Sequence, residues 1–188
     1  MIPSIRDAVR DAYSAVADRP GAQHAFPCGR AFAESLGYGP ELLDALPRAS
    51  VDAFAGVSNV SLFADLQAGQ TALDLGCGAG MDSMIAARRV GPTGRVLGVD
   101  FSAAMLERTR PGANVLFLRV DAEQLPLRTA SIDVALVNGI FNLNPAQDAI
   151  VNELARVVRS GGSVFGAELL LRQPLPAEQI RDPNNWFA

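Results

Sequence analysis

The sequence predicts an α/β fold: a doubly wound, mostly parallel sheet with helices on both faces. From Thr71 onward, short apolar runs alternate with amphipathic segments, and glycine or proline separates one from the next. Near-continuous apolar strands are typical of parallel sheets, because helices cover both of their faces. The chain has 188 residues, so we expect a single domain with its own core.

The second half of the chain is expected to carry five strands and three helices. The strands are predicted at Ala72 to Leu75, Arg95 to Val99, Val115 to Val120, Ile132 to Val137 and Ser163 to Leu171. Two of the helices are predicted at Asp82 to Arg89 and Ala103 to Arg108. For the last helix, Asn144 is the expected N-cap, Pro145 the first helical position and Gly161-Gly162 the end.

The first half of the chain predicts a helical cap. A first helix is expected from Ser4, with Asp7 completing a capping box, to Pro20-Gly21. Shorter helices are expected at Ala31 to Leu36, Pro40 to Leu46 and Arg48 to Phe54. We therefore divide the chain into a cap (residues 1–61), a core (62–171) and a tail (172–188) within one domain.

Composition excludes several classes of function. The formal net charge is −4, and no basic stripe is present that could bind a phosphate backbone, so no nucleic-acid partner is expected. No apolar run approaches the roughly 18 residues that span a bilayer, and the N-terminus does not resemble a signal peptide. Cys28 and Cys77 are too few for a disulfide framework or a cysteine-rich metal site. A cytoplasmic protein without a metal is expected.

The segment from Asp74 to Gly80 is the motif that carries the chemistry. It reads Asp-Leu-Gly-Cys-Gly-Ala-Gly and joins the first strand to its helix. Glycines at such a turn let a ligand lie directly against the main chain. In open α/β sheets, ligands bind outside the carboxyl ends of the strands. Taken alone, the loop is equally well read as a glycine-rich turn without a ligand.

Two aspartates at the ends of the next strands favour the ligand reading. Asp100 follows the second strand, where a carboxylate can accept hydrogen bonds from both ribose hydroxyls. Asp121 follows the third strand, where it could meet an adenine amino group. Each alone is an ordinary strand-end or capping residue, but together with the glycine loop they form a constellation at three strand ends.

A dinucleotide enzyme is the main competing interpretation. Its fingerprint is G-x-G-x-x-G. Here the third glycine, Gly80, comes one residue early, and Met81 occupies the position that the fingerprint gives to glycine. Asp74 precedes the glycines, which favours a ligand with an amino-acid moiety over a pyrophosphate. Binding of NAD is therefore a distant second.

Four segments between Thr71 and Leu171 resemble the class I S-adenosylmethionine (SAM)-dependent methyltransferases, which have a Rossmann-like core. These are Asp74 to Gly80, Gly98-Val99-Asp100, Asp121-Ala122 and Arg159-Ser160-Gly161-Gly162. The resemblance implies that the glycine loop holds the methionine end of SAM, Asp100 the ribose, and Asp121 with Ala122 the adenine. The implied cofactor residues are Asp74, Gly76, Cys77, Gly78, Gly80, Asp100, Phe101, Asp121, Ala122 and Asn138.

A narrower resemblance is to the arsenite-methyltransferase-like branch. It rests on Gly80-Met81-Asp82, on Val137 to Leu143, and on Leu175-Pro176 through Asn185-Trp186. The pattern of that branch, however, has a cysteine at the position of Gly139, because As(III) is held by several thiolates. Only Cys28 could serve here, so arsenite methylation is not favoured. The implied activity is methyl transfer from SAM to an unidentified small molecule.

Few residues suggest themselves as catalytic. The sulfonium of SAM already activates the methyl group, so the protein must chiefly align the reactants, and a base is needed only for a protonated acceptor. The candidates are Asn138, as a positioning residue beyond the fourth strand, and His24 and Tyr13. Packing or surface roles are favoured for His24 and Tyr13.

The C-terminal strands of the class I fold are absent from the predicted pattern. Two further strands are expected after the fifth, yet residues 172–188 show no strand pattern. The resulting open edge could be covered by a partner, and a homodimer is one possibility. The alternative function is accordingly a truncated SAM-binding domain with little turnover that acts as an interaction module.

Overall fold

The computed structural model describes residues 5–173 and confirms the predicted fold class. Its five strands form one sheet in the order β3-β2-β1-β4-β5, and every pair is parallel. The strands are β1 (Thr71–Leu75), β2 (Arg95–Asp100), β3 (Val115–Arg119), β4 (Ile132–Asn138) and β5 (Val158–Ala167). Because the strand order reverses between β1 and β4, a crevice opens at the carboxyl ends of these two strands.

Helices cover both faces of the sheet. They are α1 (Ile5–Asp18), α2 (Gly29–Ser35), α3 (Pro40–Asp44), α4 (Arg48–Asp52), α5 (Val60–Phe63), α6 (Met81–Val90), α7 (Ala103–Leu106) and α8 (Gln147–Val157). Alternate residues of β1 face opposite ways: Ala72 packs with α5 and α6, whereas Leu73 packs with α8. Burial of apolar side chains on both faces explains why the strands are apolar almost throughout.

The cap packs on the outer side of α6. Tyr38, Leu43 and Phe54 from the cap form one buried cluster with Met81 and Ile85. The division drawn between residues 61 and 62 falls inside α5, whose Val60 packs with the sheet. The cap and the sheet thus share α6 as a common wall.

The ends of α8 differ from those predicted. The helix begins at Gln147, and its N-cap residue is Ala146 rather than Asn144. Instead the Asn144 side-chain oxygen accepts a hydrogen bond from the Ala146 N–H at 2.8 Å, which forms a turn before the helix. The predicted end at Gly161-Gly162 is also wrong: α8 ends at Val157 and β5 follows at once.

Gly161-Gly162 lies inside β5 at an irregularity in its pairing with β4. The register shifts between Ile132 and Val134, where the strand accommodates extra residues. Strand β5 also ends at Ala167 rather than at Leu171. The Gly161-Gly162 pair predicted the end of a helix, but in the structure it lies at a bulge in β5.

Some predictions fall beyond the described part of the chain. They are the capping box at Ser4, the segment Leu175-Pro176 through Asn185-Trp186, and most of the tail. Strand β5 is an edge of the sheet within residues 5–173, and the homodimer that could cover it stays a prediction. None of the helices in this range is long and apolar enough to cross a membrane.

A buried polar network fastens the cap to the core. The Asn138 oxygen accepts hydrogen bonds from the Val57 and Ser58 N–H groups at 2.9 and 3.0 Å. The Asn138 amide nitrogen donates to the Ser58 carbonyl at 2.7 Å and to an Asp82 carboxylate oxygen at 2.9 Å. The other Asp82 oxygen accepts from the hydroxyls of Tyr38 and Ser61. One amide thus connects β4, α6 and the loop after α4.

We predict that Asn138→Ala lowers the free energy of unfolding by about 3 kcal/mol, because it removes four hydrogen bonds, one of them to the buried Asp82 carboxylate. Urea denaturation followed by circular dichroism measures this change. Asn142→Ala is the matched control, since its side chain donates one hydrogen bond, to the Leu169 carbonyl at 2.6 Å. Equal losses in the two variants would contradict the role given to Asn138.

Candidate cofactor site

A cleft opens at the carboxyl ends of the strands, between the sheet, α1 and the loop after α4. It is lined by every predicted cofactor residue except Gly80, namely Asp74, Gly76, Cys77, Gly78, Asp100, Phe101, Asp121, Ala122 and Asn138. The parallel topology brings these residues together because each follows, or lies at the end of, a strand that finishes at the same edge.

The glycine loop adopts a backbone that suits glycine. Gly76, Gly78 and Gly80 have φ angles of +75°, +52° and +82°. At Gly76 a Cβ atom would lie 2.3 Å from the Ile140 side chain, so any larger residue would collide with the loop after β4. Gly80 is set back from the cleft, where a Cβ atom would strike Phe117 at 2.7 Å. The absence of a side chain at Gly80 therefore lets the Phe117 ring pack against the start of α6.

Asp100 organises the floor of the cleft. One of its oxygens accepts a hydrogen bond from the Gly78 N–H, and the other from the Ser102 N–H, both at 2.8 Å. The residue is 9% exposed, and burial raises the pKa of its carboxyl group. Asp100 thus holds the glycine loop in place through the Gly78 N–H, without the help of a ligand.

Asp74 and Asp82 are the two other buried carboxylates of the cleft. Asp74 accepts a hydrogen bond from the Ser83 hydroxyl. Burial, followed by the nearby negative charge of Asp82, raises the pKa of Asp74 to about 8. Burial also raises the pKa of Asp82, although its hydrogen bonds from Ser61, Tyr38 and Asn138 oppose the shift. A carboxylate cluster of this kind has a strongly negative potential when it is ionised.

The charge of the lining is unbalanced. Besides these three carboxylates, Asp121 lines the cleft, and among the described lining residues Arg6 of α1 is the one cationic side chain. Arg6 forms an ion pair with Asp121 at the outer end of the cleft, where its own side chain is 46% exposed. The inner part of the cleft therefore favours a cationic ligand and disfavours a pyrophosphate.

The three catalytic candidates differ in their placement. Tyr13 lines the cleft, its ring centroid lies 4.7 Å from that of Phe26, and burial together with the charges of Asp100 and Glu168 raises its pKa. Asn138 also lines the cleft, but both of its amide atoms are used by the network that holds the cap. His24 lies outside the lining, and its ring nitrogen bonds the Arg19 carbonyl at 2.9 Å.

Apart from Tyr13, sequence reasoning did not identify the residues that the cap contributes. Ser50, Phe54 and Gly56 line the cleft, as does Arg6. The Ser50 hydroxyl is buried and has no hydrogen-bond partner within residues 5–173. No motif marks these positions, because they approach the cleft only through long-range packing.

The family can be assigned by comparison with known proteins. The family model for the methyltransferase domain matches residues 66–187. The chain belongs to this methyltransferase-domain family. The match spans the glycine loop, all of β1 to β5 and the helices between them, which are the elements that build the cleft.

Several relatives share parts of this sequence. An arsenite methyltransferase from Halobacterium salinarum is 35% identical over 162 residues, which cover 81% of this chain and 40% of that protein. A demethylmenaquinone methyltransferase from Staphylococcus aureus is 38% identical over 106 residues, which cover 53% of this chain and 43% of that protein. The chain thus spans less than half the length of these curated relatives.

Solved structures agree with the fold. The arsenic(III) SAM methyltransferase CrArsM from Chlamydomonas reinhardtii superposes with a TM-score of 0.63 at 26% identity, covering 82% of this chain and 54% of that one. A phosphoethanolamine N-methyltransferase from Haemonchus contortus gives a TM-score of 0.65 at 19% identity, covering 96% of this chain and 39% of that one. The second likeness concerns the fold alone.

We predict that Asp74 makes the unliganded protein less stable as the pH rises. Its pKa is about 8 in the folded chain, against an ordinary value of 3.8. Between these values the folded state holds a proton that the unfolded state has lost, so the free energy of unfolding falls with increasing pH. Asp74→Asn removes this contribution, and relative to the unsubstituted protein it should gain more than about 1 kcal/mol between roughly pH 5 and pH 9.

Denaturant titrations across this pH range measure the effect. Asp133→Asn is the control: a hydrogen bond from the Thr71 N–H and one from Arg159 lower the Asp133 pKa, so its titration lies below the range. A constant stability difference between Asp74→Asn and the unsubstituted protein would contradict the proposed burial of a protonated Asp74.

Proposed function

We propose that this chain binds SAM in the cleft and transfers its methyl group to a small-molecule acceptor. The observation that carries the proposal is the excess of buried carboxylates around the glycine loop, with a single cationic side chain among the described lining residues. SAM bears a sulfonium and an ammonium group, so it suits this cleft better than a dinucleotide does.

The residues of the cleft fit the parts of such a ligand. The Ser50 hydroxyl is buried and has no hydrogen-bond partner among the described residues, so it could donate to a ligand carboxylate. Asp100 would accept from the ribose, and Asp121 from the adenine amino group, in competition with Arg6. Asp74 and Asp82 would balance the positive charge at the methionine end.

The chain's own groups would act mainly by orientation. When bound, SAM would supply a methyl group that its sulfonium has already activated, so the residues of the cleft have chiefly to align it with the acceptor. Because its pKa is raised, Tyr13 keeps its proton and is suited to donate a hydrogen bond rather than to act as a base. We therefore assign Tyr13 a positioning role.

Arsenite is not the acceptor that we propose. Burial raises the pKa of both Cys28 and Cys77, so both thiols are held in the protonated form that binds As(III) poorly. The pattern of the arsenite-methyltransferase-like branch has a cysteine at position 139. In this chain Gly139 has a φ of +78°, and a Cβ atom there would lie 2.9 Å from the Val57 side chain. A side chain at this position would need both strain and movement of Val57.

We predict that Asp100→Asn weakens SAM binding by about 1.5–3 kcal/mol, because the ribose loses a charged hydrogen-bond acceptor. Titration calorimetry measures the affinity, and circular dichroism shows whether the variant is folded. Asp121→Asn is the matched control and should have a smaller effect, since this carboxylate is less buried than that of Asp100 and is already paired with Arg6. An unchanged affinity of Asp100→Asn would contradict the ribose role.

The same calorimetry tests the proposal as a whole. If neither SAM nor its demethylated product binds the unsubstituted chain, the proposed function is wrong. If SAM binds, mass spectrometry of a panel of quinols, phenols, amines and thiols should detect a methylated product. Binding without any product would instead favour the interaction module.

A further inference from the structure

A second cavity lies beside the cofactor cleft and shares part of its lining. We call it the side chamber; its volume is about 320 Å³. Tyr13, Gly56 and Gly139 border both cavities, so a molecule in the side chamber would lie next to the ligand of the cleft. No motif in the sequence marks this chamber.

The walls of the side chamber are apolar and rich in rings. Phe26, Pro27 and Phe32 line it, and so does Val57, which lies against Gly139. The rings of Tyr13 and Phe26 are tilted by 30° with their centroids 4.7 Å apart. Such walls favour a flat aromatic molecule, which gains from contact with ring faces as well as from burial.

The lining of the side chamber disfavours an anion. None of the described residues that line it is charged. Asn142, one of its few polar groups, already donates its amide to the Leu169 carbonyl. Besides burial, the negative charges of Asp100 and Glu168 raise the pKa of Tyr13, which borders the chamber. A negatively charged molecule would therefore lose its hydration and meet a negative potential.

We propose that the side chamber binds the methyl acceptor, and that this acceptor is an uncharged aromatic molecule. The inference rests on the proposed function, because only SAM in the neighbouring cleft makes the chamber an acceptor site. Tyr13 stands at the junction of the two cavities, where its hydroxyl could donate to a polar atom of the ring system. Phosphate esters and carboxylates are excluded by the same charge argument.

Gly139 keeps this chamber open. Its Cβ position points at Val57, so a side chain there would enter the wall that the two residues share. Enlarging Val57 from the other side should fill the same space. Val57 does not itself line the cofactor cleft, so calorimetry with SAM can show whether a change of its side chain leaves the SAM site intact.

Equilibrium dialysis with a matched pair of probes tests the proposal. 2-Naphthol is uncharged, and 2-naphthol-6-sulfonate has the same ring system with a negative charge. With saturating S-adenosylhomocysteine present, we expect 2-naphthol to bind the chain and the sulfonate to bind at least about tenfold more weakly. Equal binding of the two probes, or no binding of 2-naphthol, would overturn the proposal.

Two variants place the probe in the chamber. Val57→Phe should weaken 2-naphthol binding at least about tenfold by filling the cavity, whereas Val57→Ala should retain it. Leu169→Glu provides a second route: this side chain is 54% exposed at the chamber, so the variant should fold, and its charge should weaken binding. Unchanged binding in both Val57→Phe and Leu169→Glu would show that the probe binds elsewhere.

Calorimetry with SAM on every variant separates this proposal from the proposed function. If the unsubstituted chain does not bind SAM, the proposed function fails. If SAM binds normally while 2-naphthol does not, the acceptor class alone is wrong.

Discussion

Three buried carboxylates at one edge of the sheet constrain the rest of the structure. Asp74, Asp82 and Asp100 are each 9% exposed or less, and no cationic side chain of the described residues pairs with them. Burying charge without a partner is costly, so these groups depend on hydroxyl and backbone donors and on protonation. The buried carboxylates therefore lower the stability of the unliganded chain, and a bound cation would offset this cost.

One of these carboxylates, that of Asp82, also attaches the cap to the core. Asp82 accepts hydrogen bonds from Tyr38, Ser61 and Asn138, which lie on three separate parts of the chain. Because the loop after α4 is held by Asn138, the groups that this loop contributes stay at the mouth of the cleft. The network that stabilises the cap therefore also positions Gly56 and Val57 between the cleft and the side chamber.

The sequence predicts those parts of the fold and site that depend on local patterns. Strand periodicity and the glycine loop place β1, α6 and the aspartates at the strand ends, because the parallel topology turns positions along the chain into neighbours in space. The end of α8 was predicted wrongly, since Gly161-Gly162 marks a bulge set by pairing with β4. Ser50 and the side chamber could not be predicted, because distant segments meet there without a motif.

Proton release on SAM binding tests most directly whether the buried carboxylates make this a cation site. Near neutral pH, Asp74 is largely protonated in the unliganded chain, and a bound cation should expel that proton. Calorimetry in buffers of different ionisation enthalpy should show release by the unsubstituted chain and less release by Asp74→Asn. A binding enthalpy that does not depend on the buffer, or no binding, would contradict the account.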